Sequence, residues 1–354
     1  MSMRSLSVRG LTEGAILAAL VALFALAARY FPLIGIASTF VTPLPLTILV
    51  VRQGMRVGVL AALVAAVIAG MIGGPLTGLA IALTFAPLGI AFGTVLRQGR
   101  PASTVLLVGS VVSTVSVLIN LVITLAISGI NPYTTLIQGM VQGQDEAMRV
   151  YARLGLDETQ MEQVAGPMRQ VFAMMPRLIP LLVVVGGITT AYVNFEVTRF
   201  VLRRFRHPVP ALPPLSSWRI PGLVMWALPL GIGLMWLSRA APVPFDPPGA
   251  TMRMLPPDDM SAAIYAASSR YPAMETAGLN LSIFTQVIFS MMGLVAAWVL
   301  LERYGAPRWL RWFAVLFAFT SPPLSIGVFL LGLADAAFDL RTRWRAAKTA
   351  EASA

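Results

Sequence analysis

Long apolar segments follow one another along almost the whole chain, and the breaks between them carry arginine. A helix that crosses the hydrocarbon core of a bilayer needs about 20 mostly apolar residues. Nine segments reach or approach that length: Leu11–Ala28, Ile34–Val51, Val57–Ile72, Leu79–Leu96, Thr104–Ile127, Leu178–Val197, Ile220–Leu237, Leu281–Leu301 and Trp312–Leu331. The pattern predicts an all-α fold, a polytopic transmembrane helix bundle with about 8–10 membrane helices.

The composition excludes several kinds of active site. Charged residues make up 12% of the 354 residues, about half the charged fraction of a soluble domain. The chain has no cysteine and a single histidine, His207. Disulfides and cysteine-based metal sites are therefore excluded, and a histidine metal centre is not expected. The sequence has no phosphate-binding loop, dinucleotide fingerprint or zinc motif, so we expect no cofactor and no enzymatic activity.

The net charge of +11 comes almost entirely from arginine, since Lys348 is the only lysine. The arginines cluster at the ends of the apolar segments, which is typical of topology signals and of contact with anionic headgroups. Membrane lipids are therefore the expected partners, and nucleic acid is not.

The same arginines predict how the chain threads the membrane. Short connections decide orientation, and those that carry Arg52, Arg56, Arg97 and Arg100 place the N-terminus in the cytoplasm. We expect a multi-pass protein of the plasma membrane.

Nine crossings would leave the arginine-rich tail outside. However, Ser321-Pro322-Pro323 interrupts the last apolar segment, and proline breaks a helical hydrogen-bond ladder. We therefore expect two short helices, Arg308–Thr320 and Leu324–Arg341, that form a re-entrant or tilted hairpin. This hairpin returns the C-terminus to the cytoplasm.

The chain divides at a proline-rich stretch into two halves, each with one long extracytoplasmic segment. The acidic and arginine-containing segment in the first half is predicted to be helical, either as an amphipathic cap on the membrane surface or as a lid over an outward-facing cavity. The predicted parts are a six-helix half (1–206) with its amphipathic segment (131–177), a cytoplasmic linker (207–219), a C-terminal half (220–345) with an outer loop (238–278), and a cytoplasmic tail (346–354).

Polar residues within apolar segments are costly in a membrane and often functional. Asn120 and Gln286 are the candidates for polar contacts with a substrate. Pro43 and Pro45 interrupt the second apolar segment and are candidates for a cavity wall, because proline frees backbone carbonyls that need partners inside the protein. Interhelical hydrogen bonds and a simple kink are the structural alternatives.

Other polar residues are interpreted as structural or interface groups. Glu196 can pair with Arg199 three residues on, and Asn194 and Asn280 can form interhelical hydrogen bonds. Asp335 and Asp339 stand four residues apart, close to Arg341 and Arg343. They are interpreted as a salt-bridged anchor at a helix end, with a proton- or cation-coupled acid pair as the alternative.

Several motifs resemble the YybS-like family of bacterial membrane proteins. They are Asn194-Phe195-Glu196 before Arg199–Arg204, Trp218-Arg219-Ile220-Pro221, Asn280 leading into Gln286, and Gly332–Arg341, which reads GLADAAFDLR. The resemblance covers essentially the whole chain and implies an integral membrane protein.

The first six helices are also similar to the substrate-binding S components of energy-coupling factor transporters. Thr42-Pro43-Leu44-Pro45, the Gly/Ala-rich third segment and Gly73-Gly74-Pro75 carry this resemblance. It implies that Ala15 and Ala19, at the place of an alanine docking motif, contact a coupling subunit. The additional C-terminal helices depart from the six-helix pattern of those proteins.

Two function hypotheses follow. The first is a transport-type protein whose N-terminal half binds a small solute from the outer face, energised by coupling and ATPase subunits. The second is a non-transporting scaffold or regulator whose arginine-rich inner face recruits cytoplasmic proteins. A lipid-modifying membrane enzyme is a third interpretation, and it would need several acids at one membrane depth.

Overall fold

The computed structural model describes residues 8–129, 131–155, 157–207, 209–240 and 272–344. Within these ranges the chain is helical and contains no strand, which confirms the predicted all-α fold. Most of the predicted outer loop 238–278 and the predicted tail 346–354 lie outside the described residues.

Fourteen α-helices are described, and one π-helical turn, Ile81–Phe85, joins two of them. In chain order they are α1 Val8–Tyr30, α2 Pro32–Val41, α3 Pro43–Gln53, α4 Met55–Gly73, α5 Pro75–Ala80, α6 Ala86–Arg97, α7 Ala102–Ser128, α8 Pro132–Arg153, α9 Glu158–Arg204, α10 Gly222–Met225, α11 Ala227–Ala240, α12 Pro272–Arg303, α13 Arg308–Thr320 and α14 Pro322–Phe338.

Among the described residues, six helical stretches are long and apolar enough to cross a membrane, and one of them is α5 and α6 joined through the π-helical turn. Helices α13 and α14 form a seventh candidate if the bent pair is one span. Three of the nine apolar segments are divided, and one of them is Trp312–Leu331, which is interrupted at Ser321. Ile34–Val51 splits between α2 and α3, where Pro43 occupies the first turn of α3 and cannot continue the preceding ladder. Ile220–Leu237 splits at Trp226 into α10 and α11.

The predicted interruption at Ser321 is present. The axes of α13 and α14 bend by 105° there, and Ser321 has an extended backbone between the two helices. Helix α14 ends at Phe338, three residues before the predicted end, because Asp339 adopts a left-handed conformation with φ of 51°.

The residues group into two compact units. Unit 1 comprises 1–147 and 182–212, and unit 2 comprises 148–181 and 213–354. Helix α9, 47 residues long, contributes its first part to unit 2 and its second part to unit 1.

Small residues form the core of unit 1. A stripe on α1 (Ala18, Val21, Ala22 and Ala25) packs with an alanine stripe on α4 (Ala61, Ala62, Ala65 and Ala69). Small side chains let helix backbones approach closely in lipid. On α6, a Cβ atom at Gly89 would lie 2.6 Å from the carbonyl oxygen of Pro43. The alanine-rich and glycine-rich stretches therefore serve helix packing.

Unit 2 uses the same device between α12 and α14. Gly293 and Gly332 face each other so closely that a Cβ atom on either would meet the backbone of the other helix. Phe289 and Phe329 pack edge to face beside them, with ring centroids 6.2 Å apart. This pair of helices is the centre of unit 2.

Candidate functional site

An open cavity of about 700 Å³ lies within unit 1, between α1, the α2–α3 segment and the last turns of α9. Ligand sites of drug-sized molecules typically enclose about 300–1,000 Å³. Its wall is apolar over most of its length and polar at one end. It is formed by Arg9, Thr12, Glu13, Ile16, Leu17, Leu20, Phe24, Val41, Leu44, Pro45, Ile48, Arg52, Val201 and Phe205.

The polar end is organised around Glu13. Its Oε1 lies 2.9 Å from Nη1 of Arg52, and its Oε2 accepts a hydrogen bond of 2.7 Å from Nε2 of Gln53. The Glu13 side chain is 18% exposed and that of Arg52 is 49% exposed. The carboxylate is thus held in place, while much of the arginine remains accessible at the mouth.

The break between α2 and α3 shapes the apolar wall. Thr42 donates its hydroxyl to the carbonyl of Ser38 at 2.6 Å, and Thr47 donates to the carbonyl of Pro43 at 3.1 Å. Both hydroxyls thus bind carbonyls one turn earlier beside the break, and the carbonyl of Ser38 also accepts the backbone N–H of Thr42 at 2.8 Å. At the other end of α3, Nη1 of Arg97 donates to the carbonyl of Val50 at 3.2 Å. The short helix is therefore fixed at both ends.

Of the four residues predicted to contact or shape a substrate site, three lie in unit 1 and one lies in unit 2. Pro45 lines the cavity, and Pro43 is buried at the start of α3. Asn120 lies in unit 1 and Gln286 in unit 2, where Gln286 is exposed on α12. The roles of these residues in substrate binding remain predictions.

Asn120 takes part in an interhelical hydrogen bond. Its Nδ2 donates to Oγ1 of Thr84 at 3.3 Å, and its Oδ1 accepts from Thr124 at 3.4 Å. Thr84 belongs to the π-helical turn Ile81–Phe85, a distortion that is frequent at functional sites. The bond therefore joins α7 to the distorted turn.

Ala15 and Ala19 lie on the exposed side of α1. The neighbouring face of the helix, with Gly14 and Ala18, is buried in unit 1. The two alanines are therefore accessible on the surface of unit 1.

The last turns of α9 carry arginines. Glu196 and Arg199 form an ion pair of 3.2 Å, and Arg203 and Arg204 are exposed. Asn194 is buried, and its Nδ2 donates to the carbonyl of Thr190 in its own helix at 2.9 Å. The end of α9 therefore presents Arg203 and Arg204 as an exposed cationic face.

In unit 2 the GLADAAFDLR segment forms a buried clamp. Arg341 donates from Nε to Oδ2 of Asp335 at 2.7 Å, from Nη1 to the carbonyl of Leu215 at 3.2 Å and from Nη2 to the carbonyl of Trp218 at 2.7 Å. One arginine thereby fastens the linker to the end of α14. Asp339 pairs with Arg219 at 2.9 Å.

The four-residue spacing of Asp335 and Asp339 therefore does not place them on one helical face. The helix ends between them, and the left-handed backbone of Asp339 turns its side chain toward the linker. The two carboxylates therefore form separate ion pairs, Asp335 with Arg341 and Asp339 with Arg219.

Asn280 joins α12 to the first part of α9. Its Nδ2 donates to the carbonyl of Arg177 at 2.6 Å, and its Oδ1 accepts from the backbone N–H of Leu181 at 2.8 Å. In a regular helix those two backbone groups bond to each other. The amide of Asn280 thus interposes itself in the turn of α9 that contains Pro180.

Two sets of contacts were not predicted from the sequence. One is the binding of Glu13 to Arg52 and Gln53, and the other is the hydrogen bond from Asn120 to Thr84. The available signal was topological. Glu13 begins the first apolar segment and Arg52 ends the second, so both were expected at the same membrane face.

Among the described residues, no group of three or more His, Cys, Asp or Glu side chains is placed to hold a metal ion.

Comparison with known proteins agrees with the membrane character of the chain. The family model described as predicted membrane protein (DUF2232) matches residues 19–246. The protein named uncharacterized protein YybS from Bacillus subtilis (strain 168) is 26% identical over 217 residues, which cover 61% of this chain and 69% of that protein. No solved structure matches the chain. Since the family model covers more than half of the sequence, the chain is an integral membrane protein that belongs to the DUF2232 family and is YybS-like.

Proposed function

We propose that the protein is the solute-binding component of a membrane transport system. Unit 1 binds its solute in the cavity between α1, α3 and α9, and separate coupling and ATPase subunits supply the energy. The observation that carries the proposal is the polarity of the cavity, with charged groups at one end and an apolar wall beyond them. A cavity of this kind both admits and orients a small molecule.

The need for partners follows from the sequence, which has no nucleotide-binding motif of its own. The exposed Ala15 and Ala19 support a docking face on α1, as the resemblance to S components implies. Replacing both alanines by leucine should reduce co-purification of the coupling and ATPase subunits. Ala126→Leu, an exposed alanine on α7, is the matched control and should leave co-purification unchanged.

The position of the cavity supports entry from the side opposite to the outer face that we expected from the sequence. Its charged end lies at the start of α1 and the end of α3, which the arginine pattern assigns to the cytoplasmic side. The solute therefore meets the charged groups at the inner membrane surface, and not at the outer face.

Native mass spectrometry of the detergent-purified protein tests the binding role. The wild-type protein should retain a small molecule from the membrane, and Leu20→Trp, which fills the cavity, should lose it. Leu23→Trp is the control, because Leu23 is on the same helix, is 60% exposed and lies outside the cavity wall. Absence of any retained molecule in the wild-type protein would refute the binding role.

The contribution of Asn120 is tested separately with Asn120→Leu. If Asn120 contacts the solute, the variant should lose the thermal stabilisation that the retained molecule gives. Equal stabilisation would leave Asn120 with its structural bond to Thr84 alone.

A regulatory scaffold is the second candidate, and the exposed Arg203 and Arg204 at the end of α9 favour it. In that case the purified complex should contain cytoplasmic proteins other than an ATPase and its coupling subunit. Arg203→Gln with Arg204→Gln should release those proteins, whereas Leu20→Trp should not.

A further inference from the structure

The cavity of unit 1 combines two features that specify a chemical class of ligand. One end holds two arginines, Arg9 and Arg52, against one carboxylate, Glu13, so its formal charge is positive. The rest of the wall is apolar, with Leu17, Leu20 and other side chains of α1 facing α3 and α9. A ligand that satisfies both parts has a charged head and an apolar body.

The apolar part has the depth of one membrane leaflet. Ile16 and Phe24 mark its limits on α1, and at 1.5 Å per residue they are separated by about 12 Å along the helix. The hydrocarbon core of a bilayer is about 30 Å thick, so one leaflet is roughly 15 Å. The charged residues then lie at the level of the lipid headgroups.

The charged end favours an anion. The accessible guanidinium of Arg52 offers several N–H donors, and a guanidinium binds phosphate or carboxylate oxygens in a bidentate geometry. The carboxylate of Glu13 forms an ion pair with Arg52 and accepts a hydrogen bond from Gln53. An anionic head would therefore compete with Glu13 for Arg52, and a cationic head would be repelled by Arg9 and Arg52.

We propose that the ligand is an amphiphile with an anionic head and an apolar chain, which enters from the inner leaflet. Its chain lies along Leu17, Leu20 and Ile48, and its phosphate or carboxylate head binds Arg52 and Arg9. This assignment rests on the proposed binding function and names the class of solute. Glu13 pairs with Arg52 and releases it to the head when the ligand binds.

The test uses the full-length protein in nanodiscs of zwitterionic phosphatidylcholine and three probes: dodecyl phosphate, dodecyltrimethylammonium and inorganic phosphate. Dodecyl phosphate should bind and raise the unfolding temperature. The other two probes should not, because one has the wrong charge and the other has no chain. Leu20→Trp should abolish binding of dodecyl phosphate, and Leu23→Trp should leave it intact.

Charge variants separate recognition of the head from support of the fold. Arg52→Gln should weaken binding of dodecyl phosphate by about tenfold or more, since hydrogen bonds to charged groups are among the strong ones. Glu13→Gln should strengthen binding, because it removes the competing carboxylate. Loss of the Glu13–Arg52 pair weakens the fold in both variants, so opposite changes in affinity report recognition. Arg100→Gln, an exposed arginine outside the cavity, is the control.

Three outcomes overturn the assignment. Equal binding of dodecyl phosphate and dodecyltrimethylammonium, both lost in Leu20→Trp, rejects the anionic head while the binding role of the cavity survives. Binding of inorganic phosphate as tight as that of dodecyl phosphate rejects the amphiphile. Binding of dodecyl phosphate that is unaffected by Leu20→Trp and by Arg52→Gln places the probe elsewhere and rejects the site.

Discussion

Arg341 folds back onto Asp335, with its Nε 2.7 Å from Oδ2 of the carboxylate, and the two side chains are only 6% and 2% exposed. The backbone N–H of Arg341 also donates to Oδ1 of Asp335 at 3.0 Å. The aspartate therefore receives two donors from a single residue beyond the end of its own helix. The same guanidinium also donates hydrogen bonds to the carbonyls of Leu215 and Trp218. The pair therefore fixes the end of the linker against the end of α14.

Removing one member of this pair should be costly. Arg341→Gln leaves a buried, uncompensated carboxylate, and breaking a buried ion pair costs about 3–5 kcal/mol. Unfolding of the purified protein in mixed detergent, followed by tryptophan fluorescence, measures the change. Arg219→Gln is the control, because its pair with Asp339 is 71% and 43% exposed, and such pairs contribute about 0–1 kcal/mol.

The double variant Asp335→Leu with Arg341→Leu tests the cause of that loss. If the uncompensated charge is responsible, the double variant should be more stable than Arg341→Gln, since apolar replacement of a buried pair is often neutral or stabilising. A double variant that is less stable than Arg341→Gln would assign the loss to the hydrogen bonds that hold the linker.

A second prediction concerns Asn280 and Gln286, two amides on α12 with different surroundings. Asn280→Leu should lower the free energy of unfolding by about 1–2 kcal/mol, the upper range for hydrogen bonds between membrane helices. Gln286→Leu should change it by less than about 0.5 kcal/mol, because Gln286 is exposed. Equal effects of the two substitutions would contradict the bridging role of Asn280.

Asn280→Asp provides a sharper comparison in the same unfolding assay. Aspartate keeps the acceptor for Leu181 but loses the donors to the carbonyls of Arg177 and Thr276. Its negative charge also lies against those oxygens. We expect it to be at least as destabilising as Asn280→Leu, and a stability equal to that of the wild-type protein would exclude the donor bonds as a stabilising contribution.

The fold class could be predicted because the lengths of apolar segments and the arginines between them are local properties of the sequence. Which prolines end a helix could be predicted only in part. Pro43 begins a new helix, whereas Pro167, Pro176 and Pro180 remain inside α9. The difference depends on tertiary support: beside Pro180, the amide of Asn280 engages the backbone of Arg177 and Leu181, and this partner is about a hundred residues away.

The candidate site was predicted only in part, for a related reason. Asn120 and Gln286 were selected because both are polar within apolar segments, but exposure and partners depend on which helices are neighbours. The polar end of the cavity consists of Glu13 and Arg52, which lie at the ends of different segments and come together only when α1 packs beside α3. Pro45 could be predicted because it stands with Pro43 inside an apolar segment, and that interruption is visible in the local sequence.

The adjacent glycines of α9 give a matched pair for a third prediction. A Cβ atom at Gly187 would lie 2.9 Å from the backbone nitrogen of Thr114 and 3.0 Å from its Cα, whereas one at Gly186 meets nothing within 4 Å. Gly187→Ala forces α7 and α9 apart and should cost about 1–3 kcal/mol. Gly186→Ala should be neutral or stabilising by up to about 1 kcal/mol, because alanine favours a helix over glycine. Equal unfolding midpoints for the two variants would show that the close contact between α7 and Gly187 does not limit stability.

The sidedness of the membrane helices is the fourth prediction, and the absence of cysteine makes it directly measurable with single introduced thiols. Tyr30→Cys places an exposed thiol at the last residue of α1, and Gln98→Cys places one directly after α6. A membrane-impermeant maleimide added to intact cells should label the first and not the second, because arginine-rich short connections stay in the cytoplasm. The reverse result would move the charged end of the cavity to the outer surface, and with it the entry side of the ligand.

The C-terminal hairpin is tested with Arg343→Cys in the same assay. If α13 and α14 form a re-entrant pair across the 105° bend, the thiol is protected in intact cells and becomes labelled after permeabilisation. The arginines that follow α14 then lie in the cytoplasm, in agreement with the charge rule. Labelling in intact cells would instead make the bent pair a single broken span that crosses the membrane, with Asp335 and Arg341 at its outer end. In that case the clamp on the linker would face the outside, and the proposed cytoplasmic position of residues 207–219 would be wrong as well.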